Sequence, residues 1–228
     1  MDIKEFVKYE LLGWKKHEIV GLFFVFLLIL FNAIYLNDSK AAVISAFCGI
    51  LYSTIAGKGK ISCYFFGLMG TLFYSYLSLK NLLFGNLILY VGYYLPMQIW
   101  GIFAWKKNLK SSTKEIYKTN LSLKHNVLLF ILVFICSLFA IAILKYLGDS
   151  RPIFDGVTTV LSILGMYLTV KRCIEQWIVW MVVNGLSSIM WLSLILQGTK
   201  AYSTFIMWSV YFVLAIYFYF VWKKDLQQ

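Results

Sequence analysis

Apolar stretches long enough to cross a bilayer recur from residue 19 to residue 222 of this 228-residue chain, and they decide what it can become. About 20 apolar residues span the hydrocarbon core as a helix. Lipid offers no hydrogen-bond partner to an open backbone, so each such stretch must be helical. In order they give eight spans, at 19–36, 41–57, 61–79, 83–105, 126–147, 153–170, 176–196 and 201–222. Hydrophobic residues make up 61% of the chain and mean hydropathy is +0.77, which excludes a soluble globular domain. The expected fold class is an all-α polytopic membrane protein. The first apolar run follows a charged stretch, and no small-residue cleavage site separates it from the next span, so no cleavable signal is expected.

Charge follows topology. With the N-terminus inside, one side receives Lys4, Lys8, Lys15, Lys16, Lys58, Lys60, six lysines between 106 and 124, Lys171, Arg172, Lys223 and Lys224. The other side keeps Lys40, Lys80, Lys145, Arg151 and Lys200. Such asymmetry over short loops is a positive-inside signature, which puts both termini in the cytoplasm and the chain in the cytoplasmic membrane. The net charge of +11 is therefore a topology signal and implies no nucleic acid. Cys48, Cys63, Cys136 and Cys173 have no paired spacing and read as packing residues.

Punctuation repeats along the chain. A basic turn (residues 57–60, then 170–172) precedes a span, a tight turn with one Lys, and a long span ending in Trp105-Lys106-Lys107 or Trp222-Lys223-Lys224. The arrangement expected is 1+3+1+3: an extra first span, a three-helix repeat, a linking helix and a second three-helix repeat. An odd connector gives the two repeats the same orientation, with a substrate site expected near the midplane at their interface, opened alternately as the repeats rock. The segments are 1–17, 18–40, 41–107, 108–150, 151–224 and a tail at 225–228. In the first of these, Ile3, Phe6, Val7, Leu11 and Trp14 follow a helical period, suiting either an amphipathic surface helix or a solvated tail. Trp105 and Trp222 read as anchors at the membrane interface.

Ionisable residues are missing from the centre of every span, and Glu175 sits at a span mouth. Intramembrane charges mark proton relays and ion-coupled pumps, so proton coupling has no carrier here. Gly57-Lys58-Gly59-Lys60 lacks the spacing of a phosphate loop, and His17 and His125 have no partners at metal-ligand spacing. Neither an enzyme nor a cofactor is expected. The polar residues inside spans are uncharged. Trp177, Trp180 and Asn184 fall at i, i+3 and i+7, one helical face. Desolvated indole faces attract a cation by ~2 kcal/mol or more, so this strip suits a flat cationic ring with polar edges. Gln98 follows Pro96, where a missing backbone donor bends or breaks the helix beside an amide. The competing reading of both amides is helix glue, at ~0.6 kcal/mol per bond, and Trp177 would also serve as an interface anchor. A non-transporting membrane scaffold would use the same spans.

The run Lys171-Arg172-Cys173-Ile174-Glu175-Gln176-Trp177-Ile178-Val179-Trp180, continuing to Asn184, resembles the WxxW region of the PnuC family of nicotinamide riboside transporters. Tyr94-Leu95-Pro96-Met97-Gln98-Ile99 is similar to that family's span before the connector. The resemblance implies a SWEET-like architecture, a homotrimer, and facilitated diffusion drawn forward by a cytoplasmic riboside kinase. It also implies that Trp177, Trp180, Asn184 and Gln98 line the riboside site. Where the family carries an amide matching Asn184 in the first repeat, this chain has Gly70, in Phe66-Gly67-Leu68-Met69-Gly70-Thr71. The last span, Tyr211-Phe212-Val213-Leu214-Ala215, lacks expected polar and Gly positions. Thiamine, another flat cation, is the alternative substrate.

Overall fold

In the computed structural model, which describes residues 8–36, 40–80, 87–148, 151–198 and 202–227, each long apolar stretch is helical. The helices in chain order are α1 (Lys16–Leu36), α2 (Lys40–Gly57), α3 (Cys63–Lys80), α4 (Leu95–Lys106), α5 (Leu123–Tyr146), α6 (Pro152–Val170), α7 (Glu175–Leu196) and α8 (Tyr202–Leu226). A π-helical segment, Ile88–Tyr94, runs directly into α4. Among the described residues six helices (α1, α2, α5, α6, α7 and α8) are long and apolar enough to cross a membrane. The stretches expected as spans three and four hold α3 and the π–α4 pair. Buried Thr71, Ser75 and Ser78 dilute the apolar character of α3, and the fourth stretch changes helix type at Leu95. The chain is an all-α polytopic membrane protein.

Side-chain placement is that of a protein in lipid. Phe23, Phe24, Phe31 and Ile34 of α1 and Phe130, Phe134 and Phe139 of α5 are exposed, while Thr71, Gln98, Thr169, Gln176, Asn184 and Ser187 are buried. Polar groups are expensive against hydrocarbon and turn toward protein. The helix ends follow ordinary chemistry. Ser122 caps α5 by accepting the His125 N–H at 3.4 Å, and Pro152 opens α6, where a missing N–H costs no helical bond.

The chain forms two compact units, Met1–Tyr117 and Lys118–Gln228. In the first, α3 packs along α2 and against the π segment and α4; in the second, α7 packs along α6 and α8, and α5 lies on α6. The same contacts recur inside each. Tyr64 meets Trp105 edge-to-face at 5.0 Å, and Trp177 meets Trp222 edge-to-face at 5.6 Å. Trp105 and Trp222 are fully buried, so they are core residues, and the expected anchor role is corrected. The turns before α3 and α7 match as well. Gly59 takes φ 70° and Arg172 takes φ 63°; a side chain in this left-handed region costs roughly 1–2 kcal/mol, which Gly avoids. Each turn carbonyl is held: Ile116 N–H donates to Gly59 O, and Thr119 N–H donates to Arg172 O, both at 2.9 Å.

The basic turn of the first unit is folded inward. Lys58 and Lys60 are buried. Lys58 pairs with Glu18, donates to the Gly13 carbonyl at 2.7 Å and lies 5.7 Å from the Trp14 ring centre. Lys60 donates to the Tyr9 carbonyl and Ser62 to Glu10. The residues from 8 to 18 are thus docked on this turn. Of the expected amphipathic set, Ile3, Phe6 and Val7 lie outside the described residues, Leu11 is exposed and Trp14 is half-buried.

Candidate functional site

Gln98 stands in the first unit and Trp177, Trp180 and Asn184 in the second. On α7, the three share a face by their spacing, but their surroundings differ. Trp177 is 3% exposed, between Phe218 (ring centres 5.5 Å apart) and Trp222. Its indole N–H has no hydrogen-bond partner among the described residues. Asn184 is buried beside Val183 and Ser187, and its carbonyl accepts the Ser188 hydroxyl at 2.9 Å. Trp180 is only half-buried. Its Nε1–H donates to Thr169 Oγ1 at 3.2 Å, and Thr169 donates in turn to the Gly165 carbonyl at 2.8 Å.

In the first unit, Pro96 sits in the first turn of α4, immediately after the π segment. The Leu95 N–H reaches the Tyr90 carbonyl, one residue further back than in an α-helix. Widening the turn ahead of Pro96 accommodates a residue whose ring crowds the preceding carbonyls. This is the helix break expected beside Gln98. Tyr90 stacks on Tyr74 at 4.3 Å and meets Tyr94 at 4.8 Å, walling that stretch with phenols. Gln98 is 3% exposed; its Nε2 donates to Thr71 Oγ1 at 2.8 Å, while its Oε1 has no partner among the described residues.

Register corrects one assignment. The shift that lays Tyr64 on Trp177 and Gly59 on Arg172 also lays Thr71, not Gly70, on Asn184. The first unit therefore does carry a polar group at that position, and it is the one Gln98 bonds. The same shift lays Gly67 on Trp180 and Tyr52 on Gly165. In the first unit the ring comes from α2: a Cβ on Gly67 would meet Tyr52 Cδ2 and Gln98 Oε1, each at 2.7 Å. In the second the ring comes from α7: a Cβ on Gly165 would meet Trp180 Cε2 at 2.9 Å. Thr71, Tyr52, Gly165 and Thr169 were not expected as site neighbours. Helices α3 and α6 each carry a second Gly, Gly70 or Gly156, and nothing in the sequence pairs one Gly with a ring on the neighbouring helix, so no sequence signal carried them.

Among the described residues no group of three or more His, Cys, Asp or Glu is placed to hold a metal ion.

Residues 39–224 match the family model described as nicotinamide mononucleotide transporter. The chain is similar to the nicotinamide riboside transporter PnuC of Haemophilus influenzae, 32% identical over 93% of this chain and 92% of that one. It is equally similar to the protein of that name from Neisseria mucosa, at 32% identity over 93% of this chain and 82% of that one. A solved chain, from the crystal structure of the vitamin B3 transporter PnuC, superposes with a TM-score of 0.82 at 32% identity, covering 95% of both chains.

Proposed function

The chain belongs to the family described as nicotinamide mononucleotide transporter, that of the PnuC proteins, and from that premise we propose that it carries nicotinamide riboside across the cytoplasmic membrane by facilitated diffusion. Membrane transport itself follows from the family and from the spans. One observation carries the choice of substrate: a half-buried indole, Trp180, lies one turn from the buried amide of Asn184. Every Lys and Arg of the eight helices lies in a first or last turn. A riboside of a pyridinium ring is a flat cation with polar edges, suited to an indole face and amides. A mononucleotide adds a phosphate of about two negative charges, which calls for Arg or Lys partners. The spans offer none near their centres.

In this reading the cationic ring lies on Trp180, while Asn184 and Gln98 bond the ligand's polar edge. Trp177 completes the apolar wall and offers its unpartnered N–H as a donor. No ionisable carrier stands mid-span, which supports movement down a gradient, with uptake drawn forward by intracellular phosphorylation of the riboside. The contacts that recur inside the two units support a repeat in a 1+3+1+3 order with α5 as the linking helix; a SWEET-like architecture and a homotrimer are proposed on the family resemblance alone. The basic turns support cytoplasmic termini.

Tryptophan fluorescence of the detergent-purified protein tests the substrate. Saturable quenching is expected with nicotinamide riboside and not with its mononucleotide or thiamine. Saturation by thiamine alone would move the chain to the alternative substrate. No response to any of them would favour a scaffold over a transporter.

A further inference from the structure

We propose that Gly165 and Thr169 of α6 are positioning residues that fix the orientation of the Trp180 indole, so that one face and the N–H edge are occupied and the opposite face is left to the ligand. The proposal rests on the reading of Trp180 as a ligand contact and names what holds it. Three distances define the lower face. A Cβ built on Gly165 falls 2.9 Å from Trp180 Cε2, 3.0 Å from Cζ2 and 3.3 Å from Cδ2. Cε2 is a ring-fusion carbon, and its neighbours on both sides are almost equally near. Such an approach comes onto the face of the ring and not its rim. The indole therefore lies flat against the α6 backbone at a position where any side chain would lift it.

The edge is fixed by a relay. A Thr hydroxyl has one proton to give and lone pairs to accept with. Thr169 spends its proton on the Gly165 carbonyl at 2.8 Å, the residue under the ring, and is itself 2% exposed. That bond sets the hydroxyl rotor, and the lone pair left over meets Trp180 Nε1–H at 3.2 Å. One residue thus supplies both the floor and the anchor of the acceptor. An indole N–H deprived of this acceptor loses the bond that fixes its edge, so the ring would swing to find another partner. The first unit reaches the opposite arrangement at the matching contact, with the ring on α2 and the glycine on α3. The space between the paired helices holds one ring, and in the second unit Gly165 cedes it to Trp180.

The substitutions T169V, T169S and G165A test this, with W180F as reference, in the full-length detergent-purified protein. Ultraviolet resonance Raman spectra of the ligand-free protein report indole N–H hydrogen bonding, and subtraction against W180F isolates Trp180 among eight tryptophans. T169V should shift that band toward a free N–H and weaken riboside binding about tenfold. T169S, which keeps the hydroxyl, should restore both to within about twofold. G165A should keep the bonded band or displace it slightly while weakening binding by a comparable factor, because it lifts the ring. An unshifted band in T169V would overturn the proposal. So would normal riboside affinity in T169V and G165A beside normal wild-type binding, which would leave the riboside site itself standing. Absence of riboside binding by the wild-type chain would instead bring down the parent reading.

Discussion

Gln98→Leu should separate a ligand-binding amide from helix glue. Gln98 is 3% exposed; its Nε2 donates to Thr71 Oγ1 at 2.8 Å, while Oε1 finds no partner among the described residues. An interhelical side-chain bond in a membrane protein is worth ~0.6 kcal/mol. A buried acceptor left unpaired costs about 1–3 kcal/mol. Replacing the amide by an apolar group of similar volume removes both terms, and Thr71 can turn its hydroxyl back onto its own helix. The net expectation is a ligand-free protein more stable by about 1 kcal/mol with riboside affinity lowered at least tenfold. Thermal unfolding without ligand and a fluorescence titration on the same preparation read the two quantities. Loss of ~0.6 kcal/mol of stability or more with unchanged affinity would refute the reasoning and make Gln98 glue.

Three further outcomes are expected. Trp222→Ala should destabilise the protein by about 3–5 kcal/mol, since the indole is fully buried, packed edge-on to Trp177 and lies 5.2 Å from the Lys118 ammonium; an interface anchor would lose under about 1 kcal/mol, a difference visible in thermal melting. Gly59→Ala places a side chain at φ 70° and should lower stability by roughly 1 kcal/mol; an unchanged melting temperature would contradict the left-handed turn. Burial lowers the pKa of Lys60 from its ordinary 10.5, with Glu115 and Glu10 opposing. The unfolded chain then binds that proton more tightly, so stability should rise with pH between the lowered value and 10.5. Lys60→Met should flatten that rise, and an identical slope in both proteins would show that Lys60 does not cause it.

The helices were legible because lipid leaves an apolar stretch no other way to satisfy its backbone, and the break at Pro96 was legible because proline lacks a donor. What surrounds a residue was less so. Periodicity put Trp177 and Trp180 on one face, yet it could not say that Phe218 and Trp222 close over the first and not the second. The Gly70 assignment slipped by one residue because span order fixes which helices correspond, while their register depends on the turn, where Gly59 and Arg172 share a left-handed backbone. Lys58 and Lys60 read as a basic turn whose inward fold the sequence does not show, since Glu10, Glu18 and Glu115, the acids around them, are distant in sequence. The Gly165–Thr169 cradle shows as ordinary small residues until the helix pair is built.

Riboside uptake into proteoliposomes, with no proton, sodium or electrical gradient imposed, tests the central claim most directly. Purified protein should equilibrate nicotinamide riboside across the vesicle membrane with saturable kinetics, accelerated exchange when unlabelled riboside is preloaded, and no accumulation above the outside concentration. Accumulation against the riboside gradient on imposing an ion gradient, or no flux above protein-free vesicles, would contradict facilitated diffusion by this chain.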